Sequence, residues 1–432
     1  MEFKKALQHT ILWKVLYTIT TFLINIFLVR LLGAEQSGSF FYTITLLSLL
    51  ILFQSWSLEA GIVYYGSKNA SSVSGISILI LPWLILQLLI SVIILNWLPM
   101  KAISEPMVIL YIISNLAILY FTALYAVQKK FVTPNRILVT VNFILLIIFG
   151  CMFFFKTSFT FFNPGNELHS AALFYLYSFP VQALLLITFF IFRNKGNIIV
   201  FTIDKSLLKN ILTFSSIAFA SNVLFFLVTR VDYYFVQKYC SLIALSNYIQ
   251  VSKLGQLLVM FPSVIAGVIF PYTAAATSSQ SYVGKTQFFC RVITGCIVLF
   301  VILIAASGYW LFPWLFGTEF RFMYTSLLIY LPGFFSLCIV TVLASYTGGL
   351  GMVKTNLAAT IIALILVIVA DIIFIPRWGI NGAAAASSIA YFICMVYLLV
   401  QIMKKMPGAI SDYFVVTYAD IKMVTNYFKK NK

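Results

Sequence analysis

Charge is what this chain has least of: Asp, Glu, Lys and Arg make up 9% of its 432 residues, against about 25% in an ordinary soluble chain. So few charges cannot clothe a water-facing surface of this size, which excludes a soluble globular enzyme. Acids are scarcest, with 11 Asp and Glu beside 28 Lys and Arg. There are only two histidines, His9 and His169, far apart and without a neighbouring carboxylate or cysteine cluster, which argues against a histidine-based metal site. The six cysteines form no CxxC pair and most lie in apolar runs, where they read as small buried hydrophobes. No Walker A loop is present, so ATP is not expected as the direct energy source. No cofactor is expected either. The connecting segments are short; the longest outer one, Lys156–Glu167, is too small for a catalytic domain.

What the chain does have is hydrocarbon. Residues of hydrophobic type make up 62% of it, and runs of 18 or more recur from end to end, each long enough to cross a ~30 Å core. The first run follows Lys4 and Lys5 and extends to Leu32. It is longer than a signal-peptide core and has no small-residue cleavage site after it, so it reads as a retained span. Twelve spans are predicted. The first six are Thr10–Leu32, Ser39–Tyr65, Ile76–Leu98, Pro106–Gln128, Arg136–Phe155 and Leu168–Phe192. The second six are Ile211–Val236, Leu242–Tyr272, Val292–Phe312, Tyr324–Thr347, Thr355–Ile375 and Ile380–Met403. The longest of these must tilt, kink or protrude. The fold class is therefore an all-α polytopic membrane protein of about twelve spans.

The net charge of +17 would point to nucleic acid in a soluble protein. Here it reads as topology. With the N-terminus inside, nineteen of the basic residues fall on the inner side, six on the outer side and three within spans. That bias places both termini in the cytoplasm and removes nucleic acid as a partner. Segment 193–210 is the longest inner break and divides the chain into halves 1–192 and 211–403, followed by a basic tail, 404–432. The tail fits an amphipathic helix on the inner leaflet and a solvated end equally well. Two faint echoes link the halves: Gly38-Ser39-Phe40 with Ser246-Asn247-Tyr248, and Ala60-Gly61 with Ala266-Gly267. Their similar offsets suggest parallel six-span repeats with a substrate site between them.

Three stretches carry a family resemblance. They are Phe27–Gly38, with Arg30, Gly33 and Glu35; Arg230-Val231-Asp232 through Asn247-Tyr248 to Phe270-Pro271; and Ile375-Pro376-Arg377-Trp378-Gly379-Ile380-Asn381-Gly382-Ala383-Ala384. In order and spacing they resemble the O-antigen type repeat-unit flippases of the multidrug/oligosaccharidyl-lipid/polysaccharide exporter superfamily. The segment around Leu245-Ser246-Asn247-Tyr248 departs from the usual valine-glycine-tyrosine, which leaves the subfamily and substrate open. The resemblance implies two six-helix lobes around a central cavity, alternating access, and a place in the cytoplasmic membrane of a bacterium. It also implies a lipid-linked oligosaccharide as substrate, membrane lipids and polysaccharide assembly enzymes as partners, and a coupling ion, H+ or Na+.

Charges inside spans cost at least ~2.5 kcal/mol at mid-helix, so each is a functional candidate. Lys253 stands eleven residues into span eight and shares a face with Gln250 and Ser246; it reads as a cavity cation or as a carboxylate's partner. Arg230 and Asp232, two residues apart, point to different faces and need other partners. Arg230 reads as a cavity cation or a snorkelling one, and Asp232 as an acceptor of hydrogen bonds from a neighbouring helix. Lys14 is near enough to the inner surface to snorkel, yet Lys14, Thr18, Thr21 and Asn25 form a polar stripe suited to protein or water. Lys253, Arg230, Lys14, Gln250 and Asn25 are the candidate substrate-binding residues. Asp232, Glu59 and Asp371 are candidate coupling acids or helix-packing groups. A drug/cation antiporter of the same superfamily is the alternative within transport, favoured by acids in the cavity. A membrane polymerase or glycosyltransferase is the alternative outside it, disfavoured by the short loops.

Overall fold

The computed structural model describes residues 2–67, 73–97, 103–155, 170–194, 205–274, 283–405, 409–417 and 420. The Lys156–Glu167 loop, His169, most of the 193–210 segment and the basic end of the tail lie outside them. The described residues form helices α1 (Glu2–Ser55), α2 (Leu58–Gly66), α3 (Val73–Trp97), α4 (Glu105–Val127), α5 (Val132–Phe155) and α6 (Ser170–Arg193). Then come α7 (Lys205–Tyr239), α8 (Leu242–Ala274), α9 (Val283–Phe316), α10 (Met323–Gly349), α11 (Val353–Lys405) and α12 (Ser411–Phe414). No strand occurs among these residues.

Nine of the helices are long and apolar enough to cross a membrane. Two of them are too long to do so once. At ~1.5 Å per residue, the 54 residues of α1 and the 53 of α11 far exceed a ~30 Å core. Each is broken at one glycine: Gly33, with φ 73° and ψ 174°, and Gly379, with φ 57° and ψ −137°. A side chain is strained in this region of backbone space, which is close to glycine's alone. The sequence predicts a non-helical stretch between Leu32 and Ser39; the structure compresses it to one residue and resumes the helix at Ala34. Counting both halves of α1 and α11, and the 25 residues of α3, the described helices supply twelve crossings. The chain is a multi-pass helical membrane protein.

One predicted span is interrupted. The run Ser39–Tyr65 breaks between α1 and α2 at Trp56 and Ser57, both with φ 49°. Neither residue favours the left-handed region, so neighbours hold them there. The Trp56 indole N–H donates to Ser216 Oγ at 2.9 Å, and its ring stacks on Phe219 at 4.4 Å. Asn222 Nδ2 donates to Ser57 Oγ at 3.0 Å.

The surface is apolar where a soluble protein's would be polar. Phe154 is 74% exposed, Trp314 72% and Leu184 63%. Tyr309, Trp310 and Trp314 cluster near the end of α9, all exposed, as in the aromatic belts of membrane interfaces.

The chain divides into two compact units, 1–223 and 224–432, the division falling within α7. In the first unit α1 packs on α5, and α4 on α6. Asn142 of α5 ties three helices: its Nδ2 donates to Thr21 Oγ1 at 3.1 Å and to Thr20 Oγ1 at 3.3 Å, and its Oδ1 accepts from Gln182 Nε2 of α6 at 3.1 Å. In the second unit α10 packs between α8 and α11. Gly255 of α8 lies against the Phe334 ring, where a Cβ would collide with it. The start of the tail docks on α9. Arg291 holds Asp420 through Nε and Nη2 at 2.8 and 2.9 Å and the Asp412 carbonyl at 2.6 Å. The guanidinium keeps the Asp420 carboxyl well below the usual carboxylate range. Over these residues the tail carries a four-residue helix, α12, with Tyr413 buried and most of its neighbours exposed.

Candidate site: a buried charged and aromatic cluster

The second unit gathers charge in its interior. Asp232 of α7 is fully buried. Its Oδ2 accepts from Tyr248 Oη of α8 at 2.5 Å and from Ser387 Oγ of α11 at 3.4 Å. Its Oδ1 accepts the Tyr233 backbone N–H at 2.9 Å. One carboxylate thus joins three helices, and charge-assisted bonds of this kind are the strong ones. Two further tyrosines close the cluster: Tyr391 Oη donates to the Val228 carbonyl at 3.1 Å, and Tyr330 Oη lies 3.5 Å from Tyr391 Oη. The Tyr330 ring stacks on Phe334 at 3.9 Å, a contact that Gly255 makes room for.

Asp371, in the first half of α11, differs from Asp232 in every respect but burial. It is fully buried, and neither carboxyl oxygen has a hydrogen-bond partner among the described residues. It stands close enough to Asp232 and to Tyr248 to interact with both electrostatically. Two carboxyls thus share an apolar interior, one fully hydrogen-bonded and one bare. Burying a bare anion is expensive, and a proton or a cation removes that cost.

Arg230, one helical turn from Tyr233 on α7, donates from Nη1 to Tyr233 Oη at 2.7 Å and to Ser252 Oγ of α8 at 3.1 Å. Its guanidinium carbon lies 5.0 Å from the centre of the Tyr233 ring. Arg230 and Asp232 share Tyr233, whose side chain serves one and whose backbone serves the other, and they are near enough to attract directly. Lys253, next to Ser252, is half-buried and near enough to Arg230 for the two charges to repel. Gln250 is buried. Four of the residues singled out in the sequence, Arg230, Asp232, Lys253 and Asp371, thus converge in one region of the second unit.

Gln250 shares α8 with Lys253; Lys14, Asn25 and Glu59 lie in the first unit and do not converge. Lys14 is exposed. Asn25 is 8% exposed, so the proposed polar stripe runs from surface to interior. Glu59 sits in the first turn of α2, with Oε2 buried and lacking a hydrogen-bond partner among the described residues. The sequence reading missed Tyr233, Tyr248, Tyr330, Tyr391 and Ser387. Tyrosine inside an apolar run gives little signal in a chain with 24 of them.

Crossing helices that enclose ionisable side chains define the class: a polytopic helical membrane protein with charge in its interior. Comparison with solved structures names the fold. The chain is similar to a lipid II flippase, MurJ, in its inward closed conformation, at 18% identity and TM-score 0.61, covering 97% of this chain and 93% of that one. It is similar to an inward-facing multidrug resistance MATE family transporter of the MOP superfamily, at 15% identity and TM-score 0.66, with 90% and 96% covered. A third is a MOP superfamily transporter from Pyrococcus furiosus with a binding pocket of reverse polarity, at 17% identity and TM-score 0.58, with 92% and 93% covered. No protein-family model and no curated protein matches the sequence. The fold is the one that these solved flippase and transporter structures have.

Proposed function

We propose that the protein flips a polyprenyl-pyrophosphate-linked oligosaccharide from the inner to the outer leaflet of a bacterial cytoplasmic membrane, as in O-antigen type polysaccharide assembly. Two six-helix lobes alternate in access, and both termini face the cytoplasm. The observation that carries this reading is the pairing of two cations, Arg230 and Lys253, on adjacent helices inside membrane-crossing segments. Arginine and lysine suit phosphate, and cations placed within hydrocarbon are functional candidates. The sugar head cannot cross hydrocarbon unaided; a cationic, water-filled cavity holds head and pyrophosphate while the tail stays in lipid. Gln250, Lys14 and Asn25 complete the proposed substrate contacts.

The buried acids supply the coupling. Asp371 takes up H+ or Na+ beside Asp232, and Tyr248 and Ser387 hold Asp232 in place. Loading removes the cost of a bare carboxylate and so favours whichever lobe geometry encloses it. The same acids favour the second reading, a drug/cation antiporter, whose substrate would take the place of the ion.

Lys253 decides between them. In proteoliposomes, Lys253→Ala should slow lipid-linked oligosaccharide translocation at least tenfold at wild-type abundance, and Lys253→Arg should keep most of it. Normal translocation by Lys253→Ala would remove this residue from the site. Export of lipophilic cations, together with no movement of lipid-linked sugar by the wild type, would select the antiporter.

A further inference from the structure

The first unit contains a cavity of about 310 Å3, at the small end of the ~300–1,000 Å3 usual for ligand pockets. Its walls are Leu58 and Ile62 of α2, Trp83 and Leu86 of α3, Tyr120 of α4, and Leu208 and Leu212 at the start of α7. The Tyr120 oxygen already accepts from Trp83 Nε1 at 3.2 Å and from Gln87 Nε2 at 2.7 Å, which leaves one hydroxyl hydrogen in an otherwise apolar lining. The pocket therefore demands hydrocarbon. It opens outward at Leu86, 44% exposed, and Leu212, 37% exposed. Its shallow end has charge. Lys209, exposed, stands three residues before Leu212 and shares its face. The deep end abuts Leu58, the first residue after the Trp56–Ser57 break. An occupant must thus place an anionic head by Lys209 and a chain running inward toward a break in a membrane helix.

Resting on the proposed function, we infer that this pocket docks the isoprenoid tail of the lipid-linked substrate, with its phosphate-bearing end at Lys209. Lys209 begins the crossing on the side where the basic bias places the cytoplasm, which is the leaflet from which the substrate is taken. The pocket holds a short run of isoprene units, and the rest of the tail stays in lipid.

The test uses the full chain in phosphatidylcholine nanodiscs, with undecaprenyl phosphate as probe and dioleoyl phosphatidic acid as a competitor with the same head and straight chains. Native mass spectrometry reads binding. Undecaprenyl phosphate should bind and resist an equimolar amount of the competitor. Ile62→Trp, which fills the cavity, should weaken binding at least tenfold. Leu212→Trp at the exposed lip should do so too, and it guards against misfolding of the first variant. Lys209→Ala should weaken binding severalfold and flatten its salt dependence. Equal displacement by the straight-chain lipid would make this an ordinary phospholipid site, and tryptophan variants that bind like wild type would empty the pocket of its role. Either result overturns the inference. Tail binding with no sugar translocation by the wild type counts against the transport reading alone. Translocation without selective tail binding counts against the pocket alone.

Discussion

The two units solve the same problem, holding helices together in hydrocarbon, with different chemistry. The first uses neutral groups. Asn142, Gln182, Thr20 and Thr21 form one network. Gln54, Ser91, Gln87 and Tyr120 form another, with Gln54 Nε2 donating to Ser91 Oγ at 2.9 Å and Gln87 Nε2 to the Gln54 carbonyl at 2.6 Å. The second uses ions and tyrosines: Asp232 under Tyr248, Arg230 on Tyr233, and Asp371 with no hydrogen-bond partner among the described residues. Neutral networks fix packing at low cost, because an amide that loses its partner loses little more than one hydrogen bond. Charges are retained in a membrane only at a price, and one that lacks a compensating bond marks a function. The lesson is where to look: the first unit is held mainly by neutral networks, with Glu59 the exception, and the second gathers the ionisable groups.

Substitutions break this contrast in order of expected effect. Asp371→Asn should abolish ion-coupled transport while leaving thermal stability equal or higher, because it removes a bare buried carboxyl and no hydrogen bond. Paired transport and melting measurements decide, and a stability loss with transport intact would make Asp371 a packing residue. Asp232→Ala should destabilise by about 1–3 kcal/mol, since Tyr248 Oη and the Tyr233 N–H lose their acceptor. Thermal melting in detergent should show it, with Asp232→Asn recovering part. In the first unit Asn142→Ala should cost only about 1 kcal/mol and leave transport per folded molecule unchanged; a transport defect there would dissolve the distinction between the units. Smallest is Asp420→Asn. The Arg291–Asp420 pair is largely covered, its side chains 16% and 5% exposed, but it holds only a short segment, so amide exchange of residues 409–417 should quicken while the crossing helices keep theirs. Because the folded-state carboxyl is held low, its stabilisation is complete above the unfolded value of ~3.9 and is lost as pH falls below that. The wild-type tail should therefore keep its protection unchanged around neutral pH.

Parts of this were written plainly in the sequence. Span number follows from hydropathy, because a crossing needs one long apolar run. The turns at Gly33 and Gly379 fall inside the stretches that carried the family resemblance. The intramembrane charges stood out because hydrocarbon tolerates so few. The partners of those charges did not. Tyr248 and Tyr391 sit in runs where an aromatic is expected anyway, and only three-dimensional placement aims their hydroxyls at Asp232 and the Val228 carbonyl. The break at Trp56–Ser57 was illegible for another reason. Neither residue prefers a left-handed backbone, and the groups that enforce it, Ser216, Phe219 and Asn222, lie some 160 residues away in sequence. The stripe from Lys14 to Asn25 is unevenly covered, because helical spacing gives a common face, whereas burial depends on which neighbours cover each level of it.

The single-glycine turns also bear on how the protein is made. With no loop between the two halves of α1, the second crossing emerges from the ribosome one residue behind the first. The pair has to enter the bilayer as a preformed hairpin rather than as two independent insertions, and the same holds for the halves of α11. An epitope tag inserted at Gly33 or Gly379 would therefore obstruct biogenesis itself, whereas the same tag placed after the docked residue Asp420 would leave both pairs intact.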